Sequence, residues 1–405
     1  MNDLLLLALL FVAVAIGWLM GRTRGQKHAN VWQHNGKLPS QYYRGLNFLL
    51  DGSQDGAIDA FTQALEVNSE TFDTHIALGN VLRRRGEVER AIRIHQNLLA
   101  RPSLPTAQLH LAHLELARDY ISAGLLDRAE RLLTDLVNES GHHKRVAQRH
   151  LLEIFEAQRD WLSAQSVARE LLPKRSFLKS NAQDPNEVGQ PVHVLLAHYC
   201  CEQSELAAAR RDLNEARGQL DLALKYDRNC VRASLMLAEL ELSAGNAQRA
   251  LKTLHGIRDQ DVDMINEAIG LLRNAYTALN RRDALQVYLR ECFQQRPSTR
   301  LLLAVAEEIA STNSPQAAKD YLRDHLTERP SLRGLRLLMS LHNRQEASND
   351  EALQMNIVQR LIEVRPAYRC AHCGFSGQQM HWYCPGCKHW GTVRDLGTIG
   401  EFTRG

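Results

Sequence analysis

The sequence predicts an all-α protein in which pairs of helices repeat along the chain. Residues 40–365 are dominated by the helix formers Ala, Leu, Arg, Glu and Gln, and strand signals are scarce there. Small residues recur in this segment at intervals close to 34 residues. The length of 405 residues also exceeds what one ordinary hydrophobic core supports. An array of similar helical units is therefore expected.

The first copy of the repeat starts at Gly45, in the stretch GLNFLLDGSQDGAIDAFTQAL. Phe48 follows three residues later, and Ala57, Phe61 and Ala64 follow at 12, 16 and 19 residues from the start. This pattern resembles the tetratricopeptide repeat, in which two antiparallel helices carry small residues where they cross closely. The alanines that mark the second helix of successive copies are Ala57, Ala91, Ala129, Ala164, Ala216, Ala250, Ala284 and Ala317.

A second marker supports the same register. Arg-Pro-Ser or Arg-Pro-Ala occurs at Arg101, Arg296, Arg329 and Arg365, where a second helix should end because proline cannot continue it. Together the markers predict a tetratricopeptide-repeat superhelix of about eight to nine repeats, with a degenerate last copy near Leu353–Pro366.

Two features interrupt the array. The longest interval between markers, 52 residues from Ala164 to Ala216, contains the polar stretch 173–191, which predicts a loop between N-terminal repeats (40–172) and C-terminal repeats (192–366). The signature also weakens late in the chain, where Glu291 and Asp324 occupy a position that is apolar earlier.

Such an array predicts binding and not catalysis. One repeat cannot bury its own apolar face, so repeats stack, and their first helices line an extended concave surface suited to proteins or peptides. The sequence has no phosphate-binding Gly-rich loop, no His-Glu-x-x-His and no Gly-x-Ser-x-Gly. We therefore expect no enzyme activity and no catalytic residue, and we expect the partner-binding residues to lie on the concave face.

The N-terminus predicts a membrane anchor. Leu4–Met20 is an uncharged run of seventeen residues, which spans about 26 Å as a helix. A cleaved signal peptide is the alternative, but it requires a positive segment before the run and a small-residue cleavage site after it, and both are missing. Positive charges follow instead, at Arg22, Arg24 and Lys27. By the positive-inside rule, residues 1–21 form a transmembrane helix with a periplasmic N-terminus, 22–39 form a basic linker, and the bulk of the chain is cytoplasmic.

The C-terminal segment 367–405 predicts a metal-binding domain and tail. CAHCGFSGQQMHWYCPGC holds two Cys-x-x-Cys pairs, Cys370 with Cys373 and Cys384 with Cys387, separated by ten residues. Each pair makes a tight turn that points two thiolates at one ion, and two such turns complete a tetrahedral site of four thiolates. The sequence thus predicts one zinc or iron ion in a rubredoxin-like or zinc-ribbon module, without the nearby histidines as ligands.

Three uses of this site compete. A rubredoxin-like electron carrier would hold iron, but Lys388 stands where a second rubredoxin knuckle usually has glycine. A nucleic-acid-binding ribbon needs a basic face, and Lys388 is the only Lys or Arg between Arg369 and Arg394. A structural module would use the metal to fold and would offer Trp382 and its neighbouring aromatics to the last helices or to a partner. The third use is favoured, because a closed site of four thiolates leaves no open coordination position for catalysis.

Charge and cysteine content argue against a dedicated nucleic-acid binder and against a secreted disulfide-rich protein. A formal net charge of +3 is close to balanced for this length, which argues against a dedicated nucleic-acid binder. Besides the four cysteines of the metal site, only Cys200, Cys201, Cys230 and Cys292 remain, and no secretory disulfide framework is present. We expect these other four to be reduced and buried.

The order of an anchor ending in GWLMGR, a tetratricopeptide array with a mid-array loop, and a CAHCGF…CPGC module resembles the lipopolysaccharide assembly protein B family over essentially the whole chain. The resemblance implies a bacterial inner-membrane regulator of lipopolysaccharide synthesis, with Cys370, Cys373, Cys384 and Cys387 as metal ligands. It implies that the protein promotes degradation of the lipid A pathway enzyme UDP-3-O-acyl-N-acetylglucosamine deacetylase by the membrane ATP-dependent zinc metalloprotease. It further implies a role in coordinating other lipopolysaccharide assembly proteins. An electron carrier with a helical docking arm, or a pure scaffold for envelope biosynthetic enzymes, remain the alternatives.

Overall fold

A computed structural model describes residues 40–51, 56–57, 60, 72–100, 104–172, 189–341 and 349–398. The predicted anchor and basic linker lie outside these residues, as does most of the predicted loop 173–191. Within the described ranges, none of the helices has the length and apolar character needed to cross a membrane. The chain divides into two compact units, Met1–Ile154 and Phe155–Gly405, which are described separately below.

The first unit consists of antiparallel helical pairs. Its described helices are α1 (Ser40–Leu50), α2 (Phe72–Arg84), α3 (Val88–Leu99), α4 (Thr106–Ser122), α5 (Leu126–Glu139) and the greater part of α6 (Lys144–Gln158). Consecutive helices pack on each other, α2 against α3 and α4 against α5, and α3 also packs against α4. This is the stacking that a tetratricopeptide array requires, because each pair covers the apolar face of the next.

The second unit continues the pattern and ends in a small sheet. Its described helices are α7 (Trp161–Leu171), α8 (Val192–Ala209), α9 (Leu213–Tyr226), α10 (Val231–Ser243), α11 (Ala247–Gln260), α12 (Ile265–Ala278), α13 (Arg282–Gln295), α14 (Thr299–Thr312), α15 (Pro315–Glu328), α16 (Leu332–Ser340) and α17 (Asn349–Val364). The three strands, β1 (Tyr368–Cys370), β2 (Ser376–Gly377) and β3 (Val393–Asp395), follow the last helix. The predicted all-α array with a C-terminal four-cysteine module is confirmed.

Most of the marker alanines are buried, as the repeat pattern predicts. The side chains at six of the predicted positions are completely buried: Ala57, Ala91, Ala129, Ala164, Ala216 and Ala250. The last two predicted positions are wrong by one residue. Ala284 is exposed and Ala317 is only partly buried, whereas the next residues, Leu285 and Ala318, are completely buried.

This one-residue shift explains the apparent fading of the repeat. The position that seemed to hold Glu291 moves to Cys292, which is completely buried. The position that seemed to hold Asp324 moves to His325, whose ring packs against Tyr321. The C-terminal repeats therefore keep an apolar or aromatic residue at this position.

Turns inside the repeats share one backbone geometry. A residue with positive φ lies five residues before the buried marker in six repeats: Gly86, Gly124, Arg159, Arg211, Gly245 and Asn280. The next residue donates its N–H to a carbonyl five positions earlier, as Asn246 does to Glu241 and Arg281 does to Tyr276. This is the Schellman ending of a helix, which requires the left-handed conformation. The Asn280 turn independently fixes Leu285 as the marker of its repeat.

The Arg-Pro-Ser segments end one helix and begin the next. Helix α13 stops at Gln295, and the Ser298 side chain then accepts a hydrogen bond from the backbone N–H of Leu301 at the start of α14. Ser331 caps α16 in the same way, through the N–H of Gly334. Proline has no backbone N–H to continue the first helix, and the serine oxygen accepts an N–H from the first turn of the next helix. Three residues therefore specify the connection.

The remaining cysteines are buried and free, as predicted: Cys200, Cys201, Cys230 and Cys292. Cys200, Cys201 and Cys230 pack in one apolar cluster with alanines of α8 and α10. Burial raises the pKa of Cys200 to about 12. A thiol so difficult to ionise is a packing residue and not a nucleophile.

Candidate metal centre

The site is built on a three-stranded antiparallel sheet in the order β2-β1-β3. Helix α17 ends at Val364, and Pro366 lies between it and the sheet. Tyr368 in the central strand pairs with Gly377 on one side and Asp395 on the other, and Cys370 pairs with Val393. The sheet thus fixes the first cysteine of the first pair at the end of its central strand.

Two turns with matching backbone bonds carry the four cysteines. In the first, Gly374 donates its N–H to the carbonyl of Cys370 at 3.0 Å; in the second, Lys388 donates to Cys384 at 2.9 Å. Gly374 and Lys388 both have positive φ, 79° and 59°. The lysine that departs from the rubredoxin pattern therefore adopts the backbone conformation of the glycine it replaces. At a further glycine, Gly386, a Cβ would lie 3.2 Å from Cys373 Sγ, a tight contact that a larger residue could make only if the sulfur moved.

The four sulfurs form a compact cluster. Cys370 Sγ lies 3.8 Å from Cys387 Sγ, and Cys373 Sγ lies 3.7 Å from Cys384 Sγ. All four sulfurs lie within 4.8 Å of one another. A tetrahedral ion with metal–sulfur bonds of about 2.3 Å requires sulfurs about 3.8 Å apart. The four predicted ligands are thus brought together with dimensions that fit one zinc or iron ion.

The environment favours thiolate formation at the first cysteine. Burial opposes ionisation of Cys370, but hydrogen bonds from the Thr392 hydroxyl and from the backbone N–H groups of Cys373 and His372 outweigh it and lower the pKa of this thiol to about 6. Burial raises the pKa of Cys387 to about 12. A bound cation would offset that cost, because metal coordination deprotonates a thiol.

Two histidines flank the cluster without being needed in it. The rings of His372 and His389 are stacked with centroids 4.0 Å apart. Together with Cys387 they form a second group of donor atoms within 4.8 Å of one another. Four thiols are sufficient for a tetrahedral site, so neither ring is required as a ligand.

The metal module is packed against the repeats of its own unit through Trp390. The Trp390 side chain is 3% exposed. Its backbone N–H donates to Gln190 Oε1 at 2.7 Å, and its carbonyl accepts from Gln190 Nε2 at 2.8 Å. The indole Nε1–H donates to Glu156 Oε1 at 3.0 Å. Every polar group of this tryptophan is therefore satisfied, by Glu156 on α6 and by Gln190 in the segment just before α8, as burial requires.

Aromatic and cationic side chains enclose the Trp390 ring. His198 stacks on it with centroids 5.0 Å apart, Trp161 meets it edge to face at 5.9 Å, and the Arg232 guanidinium lies 5.6 Å from its centroid. Burial, together with repulsion from Arg232, lowers the pKa of His198 to about 3. His198 is thus neutral at physiological pH and stacks as an uncharged ring. The sequence-based expectation that the aromatics pack on the last helices is wrong for Trp390, which lies against α7, α8 and α10.

A second contact lies at the other end of the sheet. Arg300 on α14 reaches the Tyr368 hydroxyl at 2.5 Å, and its Nε lies 2.8 Å from Asp395 Oδ2. Glu267 on α12 accepts a hydrogen bond from the Tyr368 hydroxyl at 3.1 Å, and Asn266 donates to Asp395 at 3.1 Å. Burial raises the pKa of Glu267, although Arg300 works against that shift. Met380 and Trp382 add apolar contact with the largest core of this unit.

These contacts follow the repeat. His198, Arg232, Glu267 and Arg300 each lie eighteen residues before the buried marker of their repeat, so they hold one position on the first helices of four consecutive repeats. All four contact the metal module. The first-helix face of the second unit is therefore in contact with the protein's own metal module.

Sequence reasoning predicted the cluster of four cysteines but not the contacts that hold the metal module against the repeats. Glu156, Gln190 and Arg300 carry no local motif, and each is ordinary in its own helix or loop. The available signal was the repeat position shared by His198, Arg232, Glu267 and Arg300. The first two fall on it with the predicted markers, and the last two only after the one-residue correction to the register.

The fold and the site together define a tetratricopeptide-repeat protein whose helices are followed by a four-cysteine ribbon, the metal module described above. Sequence models described as "Tetratricopeptide repeat" match residues 74–105 and 201–260, and one described as "Rubredoxin metal binding domain" matches residues 368–395. The chain is 33% identical over 396 residues to lipopolysaccharide assembly protein B of Escherichia coli (strain K12), and 33% identical over 404 residues to the protein of the same name in Haemophilus influenzae. Each alignment covers 97% of this chain and 98% of the relative. The chain belongs to the lipopolysaccharide assembly protein B family, which confirms the resemblance.

Among solved structures, the chain is similar to Naa15/Naa10 bound to HypK-THB, at 16% identity and a TM-score of 0.34. That alignment covers 81% of this chain and 52% of the other. At this level of similarity the structure carries no functional argument.

Proposed function

We propose that this protein is an inner-membrane adaptor that regulates lipopolysaccharide biosynthesis. In this proposal it promotes degradation of UDP-3-O-acyl-N-acetylglucosamine deacetylase by the membrane ATP-dependent zinc metalloprotease. The adaptor role rests on the position of the metal module, which packs against the first-helix face of the second unit. The family relationship to proteins named for lipopolysaccharide assembly supports the pathway.

The partner surface of this adaptor is the first-helix face of the first unit. The repeat position that contacts the ribbon in the second unit is held here by Asp73, Leu111 and Val146, each eighteen residues before its marker. Asp73 and Val146 are exposed, Val146 at 38%. In the second unit this repeat position contacts the ribbon. In the first unit the same position offers exposed side chains to a partner.

A ladder of polar pairs crosses the same face. Arg83 on α2 bonds to Glu115 on α4 at 2.8 Å, and Arg118 bonds to Glu115 at 2.6 Å. Arg118 Nε also lies 3.1 Å from His150 Nε2 on α6, and His150 Nδ1 lies 2.9 Å from Glu153. These pairs hold the three first helices in fixed register. The face therefore presents preorganised donors and acceptors, which lowers the entropic cost of binding a partner.

Tethering would supply the regulatory effect. Residues 4–20 anchor the chain in the inner membrane, with residues 22–39 and the repeats on the cytoplasmic side. Holding the deacetylase beside a protease in the same membrane raises its local concentration, which increases effective affinity without any new contact. The ribbon metal, bound by the four cysteines, would supply folding free energy to the second unit.

The electron-carrier alternative rests on the match to a rubredoxin metal-binding description. Purified protein discriminates the two. A red protein that bleaches on reduction holds iron that changes oxidation state, whereas a colourless zinc protein transfers no electrons.

The deciding experiment is the half-life of the deacetylase in cells depleted of this protein. We expect depletion to lengthen the half-life, the intact gene to restore it, and a gene lacking residues 4–20 to fail. Val146→Glu should lengthen it, whereas the matched control Leu162→Glu should not. Leu162 is also an exposed apolar residue, 67% accessible, but it lies on the second helix α7. An unchanged half-life on depletion overturns the proteolysis adaptor and favours a scaffold for biosynthetic enzymes.

A further inference from the structure

The last helix of the array exposes an apolar stripe. On α17, the side chains of Leu353, Ile357, Leu361 and Val364 are 59%, 49%, 47% and 84% exposed. Their spacing of four, four and three residues places them on one helix face. Val358, which is buried, lies on a different face of the same helix. Four exposed apolar residues in one row differ from the scattered exposed residues that are normal on a surface.

The position of the stripe at the end of the array indicates that a helix would cover it. Helix α17 packs on α16, and the Arg336 side chain of α16 bonds to Gln359 at 3.0 Å. In a repeat array, the first helix of the next repeat would pack on α17, but the chain turns into β1 instead. Terminal repeats normally have a polar outer face that stops this stacking. The exposed stripe therefore has the position and character of a surface on which one more helix packs.

Charge at the two ends of α17 favours an antiparallel helix of the same sequence. The first turn carries Asp350 and Glu351. Arg360 lies near the other end and Arg365 follows the last helical residue; with the exposed Glu363 between them, this end carries a net charge of +1. When two copies of α17 pack antiparallel, the acidic end of each lies beside the basic end of the other, and the helix dipoles also oppose each other favourably.

We propose that the Leu353–Val364 stripe is a dimer interface, in which α17 of one copy packs antiparallel on α17 of a second copy about a two-fold axis at Ile357. A two-fold interface uses the same patch on both copies, so one self-complementary stripe is sufficient. Four side chains on each copy make a small contact, which corresponds to a weak dimer. The inference is independent of the proposed partners and of the metal.

Cysteine cross-linking of the full chain, purified in mild detergent, tests the geometry. Ile357 meets itself across the axis, so Ile357→Cys should form a disulfide-linked dimer under mild oxidation. Leu353→Cys should not link to itself, because two copies of residue 353 would be about 12 Å apart along the helices. A mixture of Leu353→Cys and Leu361→Cys proteins should link to each other. Wild-type protein controls for the cysteines already present.

Charge variants test the interface without cross-linking. Ile357→Asp should lower the association constant of the dimer at least tenfold in sedimentation equilibrium, whereas the control Asn356→Asp, also exposed on α17, should not. Asp350→Arg and Arg365→Asp should each weaken the dimer, and the double variant should recover it. Circular dichroism confirms that each variant is folded.

The outcomes separate the possibilities. Self-linking of Leu353→Cys would overturn the antiparallel arrangement in favour of a parallel pair. No linking in any variant, with wild type and Ile357→Asp both monomeric, would overturn self-association. A cellular cross-link from Ile357→Cys to a chain of different mass would assign the stripe to another protein and also overturn the proposal.

Discussion

At the scale of single residues, the first unit depends on a histidine buried beside a glycine. His95 on α3 is completely buried, and its Nδ1 lies 2.5 Å from a carboxylate oxygen of Asp119, which is also completely buried. Because a carboxylate can only accept, Nδ1 carries the proton. The other oxygen of Asp119 accepts from Arg83 at 2.7 Å. Arg83, in a run of three arginines at the end of α2, thus makes a specific ion pair in addition to placing a favourable charge at a helix end.

This arrangement requires glycine at position 79. A Cβ at Gly79 would lie 2.3 Å from His95 Nε2 and 2.4 Å from the adjacent ring carbon. The ring cannot move away without losing its bond to Asp119. We therefore expect Gly79→Ala to destabilise the first unit by about 2–3 kcal/mol, the usual cost of an overpacked core.

A double-mutant cycle tests this prediction. In a His95→Ala background, Gly79→Ala should cost little, because the clash is gone and alanine favours a helix by about 1 kcal/mol over glycine. Hydrogen exchange across 72–122 measures the effect locally, since the whole chain need not unfold in one step. Equal costs in both backgrounds would mean that the ring and the glycine do not interact.

At the scale of elements, the repeats use the same turn with different residues. Gly245 takes a positive φ of 79°, and nothing lies within 4 Å of where its Cβ would be. Arg159 and Arg211 adopt the same conformation, at 57° and 64°, although both carry a Cβ. A non-glycine residue in the left-handed region costs about 1 kcal/mol.

Exchanging residues at these turns gives a prediction with a matched control. Arg159→Gly and Arg211→Gly should each raise the stability of the second unit by up to about 1 kcal/mol, because glycine relieves the strain. Gly245→Ala should lower it by about the same amount. Hydrogen exchange across the second unit measures all three, since the whole chain need not unfold in one step. Stabilisation by Gly245→Ala would show that backbone strain does not govern these turns.

The elements also show how far sequence reasoning reaches in this fold. Helix pairs, proline-serine connections and the four-cysteine site follow from local patterns, so they were predictable. Leu285 was missed because the α12 repeat is one residue longer, and an alanine happens to precede it. The seat of the ribbon was not predictable, because Gln190 and Trp390 are 200 residues apart and neither belongs to a motif.

At the scale of the whole molecule, the ribbon joins repeats that are distant along the array. Its contacts within the second unit extend from Glu156 at one end to Arg300 on α14 at the other. When each repeat contacts only its nearest neighbours, individual repeats can unfold locally and independently of distant ones. A module that spans several repeats couples them, so the metal site should influence helices far from it in sequence.

Loss of the metal should therefore loosen one set of helices and leave another unchanged. In a Cys370→Ser, Cys373→Ser variant, we expect faster hydrogen exchange in α8, α10, α12 and α14, because the ribbon no longer folds and its contacts are lost. Exchange in α2 to α5 should be unaffected. Metal content measured on the same sample establishes that the site is empty.

A second variant separates folding of the ribbon from its docking. Trp390→Ala leaves all four thiols in place, so the metal should still bind, but the side-chain contacts with Glu156, His198 and Trp161 are lost and only the backbone bonds to Gln190 can remain. Exchange in α8 and α10 should rise as much as in the cysteine variant, while α14 should be less affected because Tyr368 and Arg300 remain. If α8 and α10 stay protected in both variants, the array is rigid by itself, and the ribbon serves the protein through a surface that it presents and not through a shape that it maintains.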